Sequence, residues 1–346
     1  MTKLVLGAAA TALTLWAAPA AAKDLGGVAC TSPPPARCVG EACAASGDLT
    51  NLGNATDAKT GRKFWLDYPC DLKPGEKVVF VLNLHGAGSV GNWQRHYFPV
   101  ADYKDKYRLV VATPTAATAT PVRRWDGAAD DAHLQNITTW VFDTFGQNNI
   151  RSFWLAGHSQ GGMTSNRIVC TDFFKDKVDG WLSLSGGRVG QAPFVAQFGP
   201  PKPDGSPPDA RPRPAIPAST GPACDFSHIF TVGEYEIESL PETSPLAERF
   251  GCTARVRRKD IVDDKPGYVW DYQRAGYKVW GTKARPGVAH EWVFDKCREG
   301  RVVADVVRID KGHTEGLEPR VTEELVKLMV QAKGGKAQAA GKAAAD

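Results

Sequence analysis

The sequence predicts an α/β fold: a doubly wound, mostly parallel sheet with helices on both faces. Three observations carry this. Lys77–Leu84 (KVVFVLNL) and Tyr107–Pro114 (YRLVVATP) are near-continuous apolar runs, as expected of strands covered on both faces. Between the second run and a third, Phe153–Ala156, the residues Leu134, Ile137, Val141, Phe142 and Phe145 recur at helical spacing. The third run then enters Gly157-His158-Ser159-Gln160-Gly161-Gly162 and a segment with helix-compatible spacing, Met163, Arg167 and Ile168. Strand and helix thus alternate around a sharp, glycine-flanked turn.

In chain order, residues 1–22 read as a secretory signal peptide. Lys3 is the only charge, Leu4–Trp16 is apolar, and Ala20-Ala21-Ala22 is a small-residue cleavage site. No apolar run is long enough to span a bilayer comfortably. Residues 23–60 form a Cys/Pro-rich extension without helical or strand periodicity, and 61–333 form the main domain. Within it, Trp181–Leu184, His228–Gly233 and Arg301–Ile309 are further strands. Val321, Leu325, Leu328 and Met329 mark a C-terminal amphipathic helix. Residues 193–223, crowded with Pro, Gly, Asp and Ser, read as a long loop and a candidate rim or lid. The Ala/Gly/Lys-rich tail, 334–346, reads as disordered.

The chain has 42 Lys and Arg against 38 Asp and Glu, a formal charge of +4. Loss of Lys3 with the leader lowers it to about +3, too balanced for a nucleic-acid binder. Eight cysteines, all beyond the leader, favour disulfides in an exported chain. Scattered histidines and the absence of a Cys-x-x-Cys pair argue against a metal site. Asn54-Ala55-Thr56 and Asn136-Ile137-Thr138 fit the glycosylation pattern.

The turn at Ser159 places a serine at a strand-to-helix apex, with its hydroxyl exposed and the Gln160 N–H aimed where an oxyanion would form. A serine hydroxyl needs a base, and the base needs an orienting carboxylate. Three histidines follow Ser159. His228 opens a buried strand, and His290 precedes an alternating stretch. His313 stands in a glycine-flanked loop, Asp310–Gly316, just after the last strand, and is the expected base. The acid is expected after Gly233, where the loop carries Glu234, Glu236 and Glu238 and no aspartate. Glu236 is preferred among them. The second oxyanion donor is expected from Leu84-His85-Gly86-Ala87-Gly88-Ser89, through the N–H of Ala87. His85 and His158 read more readily as structural props than as proton carriers. His85, Trp93, Trp125 and Arg124 are also candidates for touching a substrate.

With these pieces placed, the chain resembles the exported polyhydroxybutyrate depolymerase and feruloyl esterase group of α/β-hydrolases, from about Lys63 to Met329. The resemblance rests on His85-Gly86, Trp125-Asp126, Asp130-Asp131, Gly157–Met163, Gly233-Glu234-Tyr235-Glu236, Cys252, Cys297 and Gly312-His313-Thr314, in that order. It implies an α/β-hydrolase fold, a Ser159–His313–Glu236 triad and a Cys252–Cys297 disulfide. Glu236 departs from the aspartate usual there, the His-Gly loop lacks a cysteine, and the histidine loop lacks the common aromatic and proline residues.

The expected activity is hydrolysis of a carboxylic ester outside the cytoplasm, with no metal or organic cofactor. The partner is a polymeric or aryl-ester substrate, with neither nucleic acid nor membrane. A polyester is the first choice. An anionic polyamide such as poly(aspartate) is the second, because Arg123-Arg124, Arg255–Lys259 and Lys311 could create a positive field, although a solvated basic face explains them as well. A non-catalytic binding protein on the same scaffold is the reading from another class. It would be signalled by loss of the serine, histidine or oxyanion glycines, and all are present.

Overall fold

Val78–Leu84 and Ile150–His158 lie side by side in the interior of an 11-stranded sheet. The computed structural model describes residues 24–30, 52–191, 223–271 and 278–333. The expected signal peptide, most of the Cys/Pro-rich extension, the Pro-rich segment up to residue 222 and the C-terminal tail lie outside the described residues. Within them the strands are β1 (Asp24–Leu25), β2 (Val28–Ala29), β3 (Ala55–Thr56), β4 (Lys63–Asp67), β5 (Val78–Leu84), β6 (Leu109–Pro114) and β7 (Ile150–His158). They continue as β8 (Gly180–Leu184), β9 (Ser227–Gly233), β10 (Arg255–Arg257), β11 (Ile261–Val262), β12 (Val288–Phe294) and β13 (Val303–Arg308). The helices are α1 (Gly91–Tyr97), α2 (Lys104–Tyr107), α3 (Gly127–Phe145), α4 (Gln160–Val169), α5 (Pro245–Arg249) and α6 (Pro319–Gln331).

Six strands in the order β6-β5-β7-β8-β9-β13 run parallel. Their side chains alternate between two cores. Val78, Phe80, Leu82 and Leu84 of β5 face Leu134, Ile137, Val141 and Phe142 of α3 and Ile168 of α4. Val79 and Val81 face the other way, to the core holding Tyr97 of α1 and Val321, Leu325 and Met329 of α6. Each such side chain, withdrawn fully from water, contributes about 1.5–3 kcal/mol. This two-sided burial explains why the runs read as continuous rather than alternating. α3 begins seven residues before Leu134, where Asp126 accepts the N–H groups of Ala128 (2.8 Å) and Ala129 (3.3 Å) as an N-cap.

The flanks depart from simple alternation. β4 and β3 close one side antiparallel, and β12, with β10 and β11, closes the other. The supposedly patternless extension holds the β1–β2 hairpin, tied by a Cys30–Cys70 disulfide to the segment after β4. These strands are too short to show periodicity in sequence. Cys252–Cys297 is bonded as the resemblance implied, and Cys170–Cys224 is a third bridge. Among the described residues no helix is long and apolar enough to cross a membrane.

Candidate active site

The parallel core reverses direction at β5: the chain steps outward to β6, then back across to β7. Loops leaving the carboxyl ends of β5 and β7 therefore diverge, and such a switch point is where open α/β sheets hold ligands. Both the His85–Gly88 loop and Ser159 lie there. Ser159, between β7 and α4, has φ 50° and ψ −119°, a strained left-handed backbone for a residue with a side chain. Two glycines permit the turn. A Cβ on Gly157 would lie 2.3 Å from the Gly161 carbonyl carbon, and one on Gly161 would lie 2.3 Å from the Leu84 carbonyl oxygen. The Ser159 N–H donates to the Leu184 carbonyl at the end of β8, fixing the apex to the sheet.

His313 and Glu236 meet across the ends of β13 and β9. Nδ1 of His313 lies 2.6 Å from Oε2 of Glu236, and both residues are buried. The other carboxylate oxygen, Oε1, accepts from the Gly233 N–H and the Ser185 hydroxyl, each at 2.8 Å. Glu236 is thereby fixed in place, with an oxygen left for the imidazole N–H. Glu234 is exposed and its Oε2 accepts from the Asp310 N–H at 2.9 Å; Glu238 is exposed. Of the three candidate glutamates, Glu236 is the one brought to the histidine.

The His313 main chain is tied down as well. Its N–H donates to Val279 and its carbonyl accepts from Nε2 of His158 (2.8 Å) and the Tyr97 hydroxyl (3.3 Å). The Trp280 ring meets the His313 ring edge-on, with centroids 5.3 Å apart. Burial, with His313 nearby, holds His158 well below the ordinary histidine range, and burial pushes the Tyr97 phenol up. Both are neutral at physiological pH.

On the oxyanion side, Ala87 is exposed and Gln160 half-buried, with the Gln160 N–H at the first position of α4, where no intrahelical acceptor exists. The Gln160 side chain accepts from the Trp125 N–H and donates to the Trp125 carbonyl. His85 is fully buried, and two corrections follow from its surroundings. Its Nε2 accepts from the Ala116 N–H (3.0 Å) and its Nδ1 donates to the Gly86 carbonyl (2.7 Å). Burial lowers its pKa to about 4. Trp125, 6% exposed, donates from Nε1 to the His85 carbonyl at 2.8 Å. Both brace the His85–Gly88 loop, and neither offers a free surface to a substrate. Trp93 is half-buried and stacks on Tyr97, while Arg124 is exposed. His228 is buried against Trp181, and His290 lies on β12 beside Asp260.

The positive field offered as an alternative to a solvated basic face loses three of its members to ion pairs. Lys311 is 1% exposed and its Nζ lies 2.9 Å from Glu318 and 3.6 Å from Glu315. Arg257 pairs with Asp260 and Arg258 with Asp295 on the β10 flank, and Arg123 donates to the Ala116 carbonyl. Tyr97, which with Trp93 and Trp125 could from sequence line a cleft for an aryl ester, is instead buried beside His313. Ser185 and Trp280 carry no signal in the sequence, because they lie in unrelated segments that only the fold brings to His313 and Glu236. Among the described residues no group of three or more His, Cys, Asp or Glu side chains could hold a metal ion.

Strand order, switch point and the strand–serine–helix turn together define an α/β-hydrolase fold. No protein-family model matches the chain, and comparison with curated proteins finds no match. Similar solved structures include an acetyl xylan esterase from Aspergillus awamori, 14% identical, covering 79% of this chain and 96% of that one with a TM-score of 0.44. Esterase 2 of Thermogutta terrifontis is 12% identical over 54% of this chain and 72% of its own, with a TM-score of 0.35. A carboxylesterase of Bacillus cereus is 14% identical over 50% and 71%, with a TM-score of 0.29. Nothing about activity is taken from likenesses this distant.

Proposed function

We propose that this protein is a serine hydrolase of carboxylic esters. The observation that carries the reading is the 2.6 Å contact between Glu236 and Nδ1 of His313, in a fold that puts Ser159 at a strained, glycine-flanked apex. The carboxylate fixes the imidazole tautomer that leaves Nε2 as the acceptor for the serine proton. Ser159 attacks the ester carbonyl, and the Ala87 and Gln160 N–H groups stabilise the oxyanion. His313 returns the proton to the leaving alcohol. It then activates the water that releases the acid from the acyl-enzyme.

Three disulfides among the described residues fit an oxidising compartment. Together with the expected N-terminal signal, this favours as substrate an ester of an extracellular polymer: a polyester, or a feruloyl-type ester on a polysaccharide. An anionic polyamide is the second reading: Lys311, Arg257 and Arg258 are committed to carboxylates, whereas Arg124 is exposed. The test is product release from polyhydroxybutyrate, a feruloylated polysaccharide, poly(aspartate) and a short aryl ester, with Ser159→Ala as the blank. Cleavage of a neutral ester by the wild type alone supports the reading. Cleavage of poly(aspartate) only, or of nothing while a serine-directed phosphonate leaves Ser159 unlabelled, overturns it.

A further inference from the structure

His158, the last residue of β7, touches each part of the site. It directly precedes Ser159. Its Nε2 lies 2.8 Å from the His313 carbonyl oxygen, and because a carbonyl only accepts, Nε2 carries the proton. Its Nδ1 is buried and has no hydrogen-bond partner among the described residues. That edge of the ring faces the oxyanion loop so closely that a Cβ on Gly86 would lie 2.7 Å from Nδ1. The ring is held between Tyr97 (centroids 4.0 Å apart) and His313 (4.7 Å). Placed this way, the imidazole can donate one hydrogen bond and accept no second proton without leaving a buried N–H unpaired.

We propose that His158 is a positioning residue: a neutral imidazole whose single N–H fixes the His313 loop to the nucleophile elbow and sets the distance between base and serine. The inference rests on the Ser159–His313–Glu236 reading above and assigns within it a role to a side chain that takes no part in proton transfer. His158 is fixed in one tautomer, so it adds no positive charge beside His313 when that imidazole becomes protonated. The Tyr97 hydroxyl donates to the same carbonyl at 3.3 Å, a second and longer tie. A base displaced by even a fraction of an ångström loses its line to the serine proton, and misplacement of about 1 Å costs about 100-fold in rate.

The test compares two side chains of similar length, one with a donor near Nε2 and one without. His158→Gln keeps an N–H within reach of the carbonyl, and His158→Met does not. With a soluble aryl ester, the Met variant is expected to lose about 10- to 100-fold in kcat with KM nearly unchanged. The Gln variant should recover most of that loss. The acid limb of the pH–rate profile should stay in place in both. Phosphonate labelling of Ser159 should slow in the Met variant by the same factor as kcat. Should the Met variant not fold, Tyr97→Phe removes the second tie to the same carbonyl and should give a smaller loss confined to kcat. Equal rates in the folded Met variant and wild type, Gln and Met variants equally impaired, or a shifted acid limb would each overturn the proposal. An unlabelled wild type would instead sink the hydrolase reading itself, so the two failures are distinguishable.

Discussion

Nζ of Lys311, two residues before His313, lies 2.9 Å from Oε1 of Glu318 in a pair that is almost wholly buried. Arg308 joins it, donating from Nε to Glu318 (2.9 Å) and from its two terminal nitrogens to the carbonyls of Glu315 and Gly316. Leaving a buried charge wholly uncompensated costs about 3–5 kcal/mol. Glu318 keeps Arg308 when Lys311 is removed, so Lys311→Met is expected to lower stability by less than that, read from the urea midpoint. Added salt should leave wild-type cleavage of a neutral ester nearly unchanged, because screening weakens exposed charges far more than buried ones.

Glu236→Gln keeps the shape of the side chain and removes its charge. Turnover is expected to fall about a thousandfold or more, as loss of the orienting carboxylate leaves the imidazole in the wrong tautomer. Ser185→Ala, which frees Oε1 of one of its two donors, should lose far less. Glu234→Gln and Glu238→Gln should remain close to wild type in steady-state kinetics. Full activity of Glu236→Gln would move the acid elsewhere.

Gly161→Ala tests the elbow. The added Cβ would meet the Leu84 carbonyl at 2.3 Å and that of His85 at 2.6 Å, both backbone atoms of the oxyanion loop. The expected result is a destabilisation beyond about 4 kcal/mol, or a displaced loop with Ser159 unreactive to phosphonate. Thermal unfolding and labelling on the same sample separate these outcomes, and a normal value in both would contradict the close packing.

Stability should also fall as the solution is acidified below about pH 6.5. Burial lowers the pKa of His85 to about 4 and that of His228 to about 3, and lowers His133 and His158 as well. In each case the unfolded chain binds the proton first, so each contributes a loss of about 1.4 kcal/mol per pH unit until its folded pKa is reached. Asp179 and Glu291 oppose this, because burial raises each to about 7 and the folded chain holds their protons down to the unfolded values. Asp263 is raised by burial as well, and the four histidines outnumber these three carboxyls, so unfolding takes up protons on balance near pH 5. Urea midpoints measured from pH 7 to pH 5 should fall accordingly, and a flat profile would refute the balance.

How much of this was legible in the sequence depends on the range of the interaction. The β5 and β7 runs, the Gly157–Gly161 turn and the loop carrying His313 are local patterns, and each folds where its own residues place it. The preference for Glu236 over its neighbours was legible only as a position. The N–H and hydroxyl groups that fix it come from Gly233 and from Ser185, 51 residues away. Lys311 looked like a surface charge because Glu318 lies beyond the apparent end of its loop. Tyr97 is 216 residues from the carbonyl it reaches. The alternation after His290 marks β12, whereas the β1–β2 hairpin and strands β10 and β11 escape notice because two- and three-residue strands carry no period.

The base is thus held by Tyr97, His158, Glu236 and Val279, which are spread over most of the domain. No early fragment of the chain contains the means to place His313. On the proposed reading, reactivity at Ser159 is expected to arrive late in folding, after the sheet has gained its last parallel strand, because sheets built from such distant contacts assemble slowly. A covalent serine probe would therefore count finished molecules, whereas tryptophan fluorescence would also register partly assembled ones. A partly folded chain would then carry every side chain of the proposed triad and still be inert.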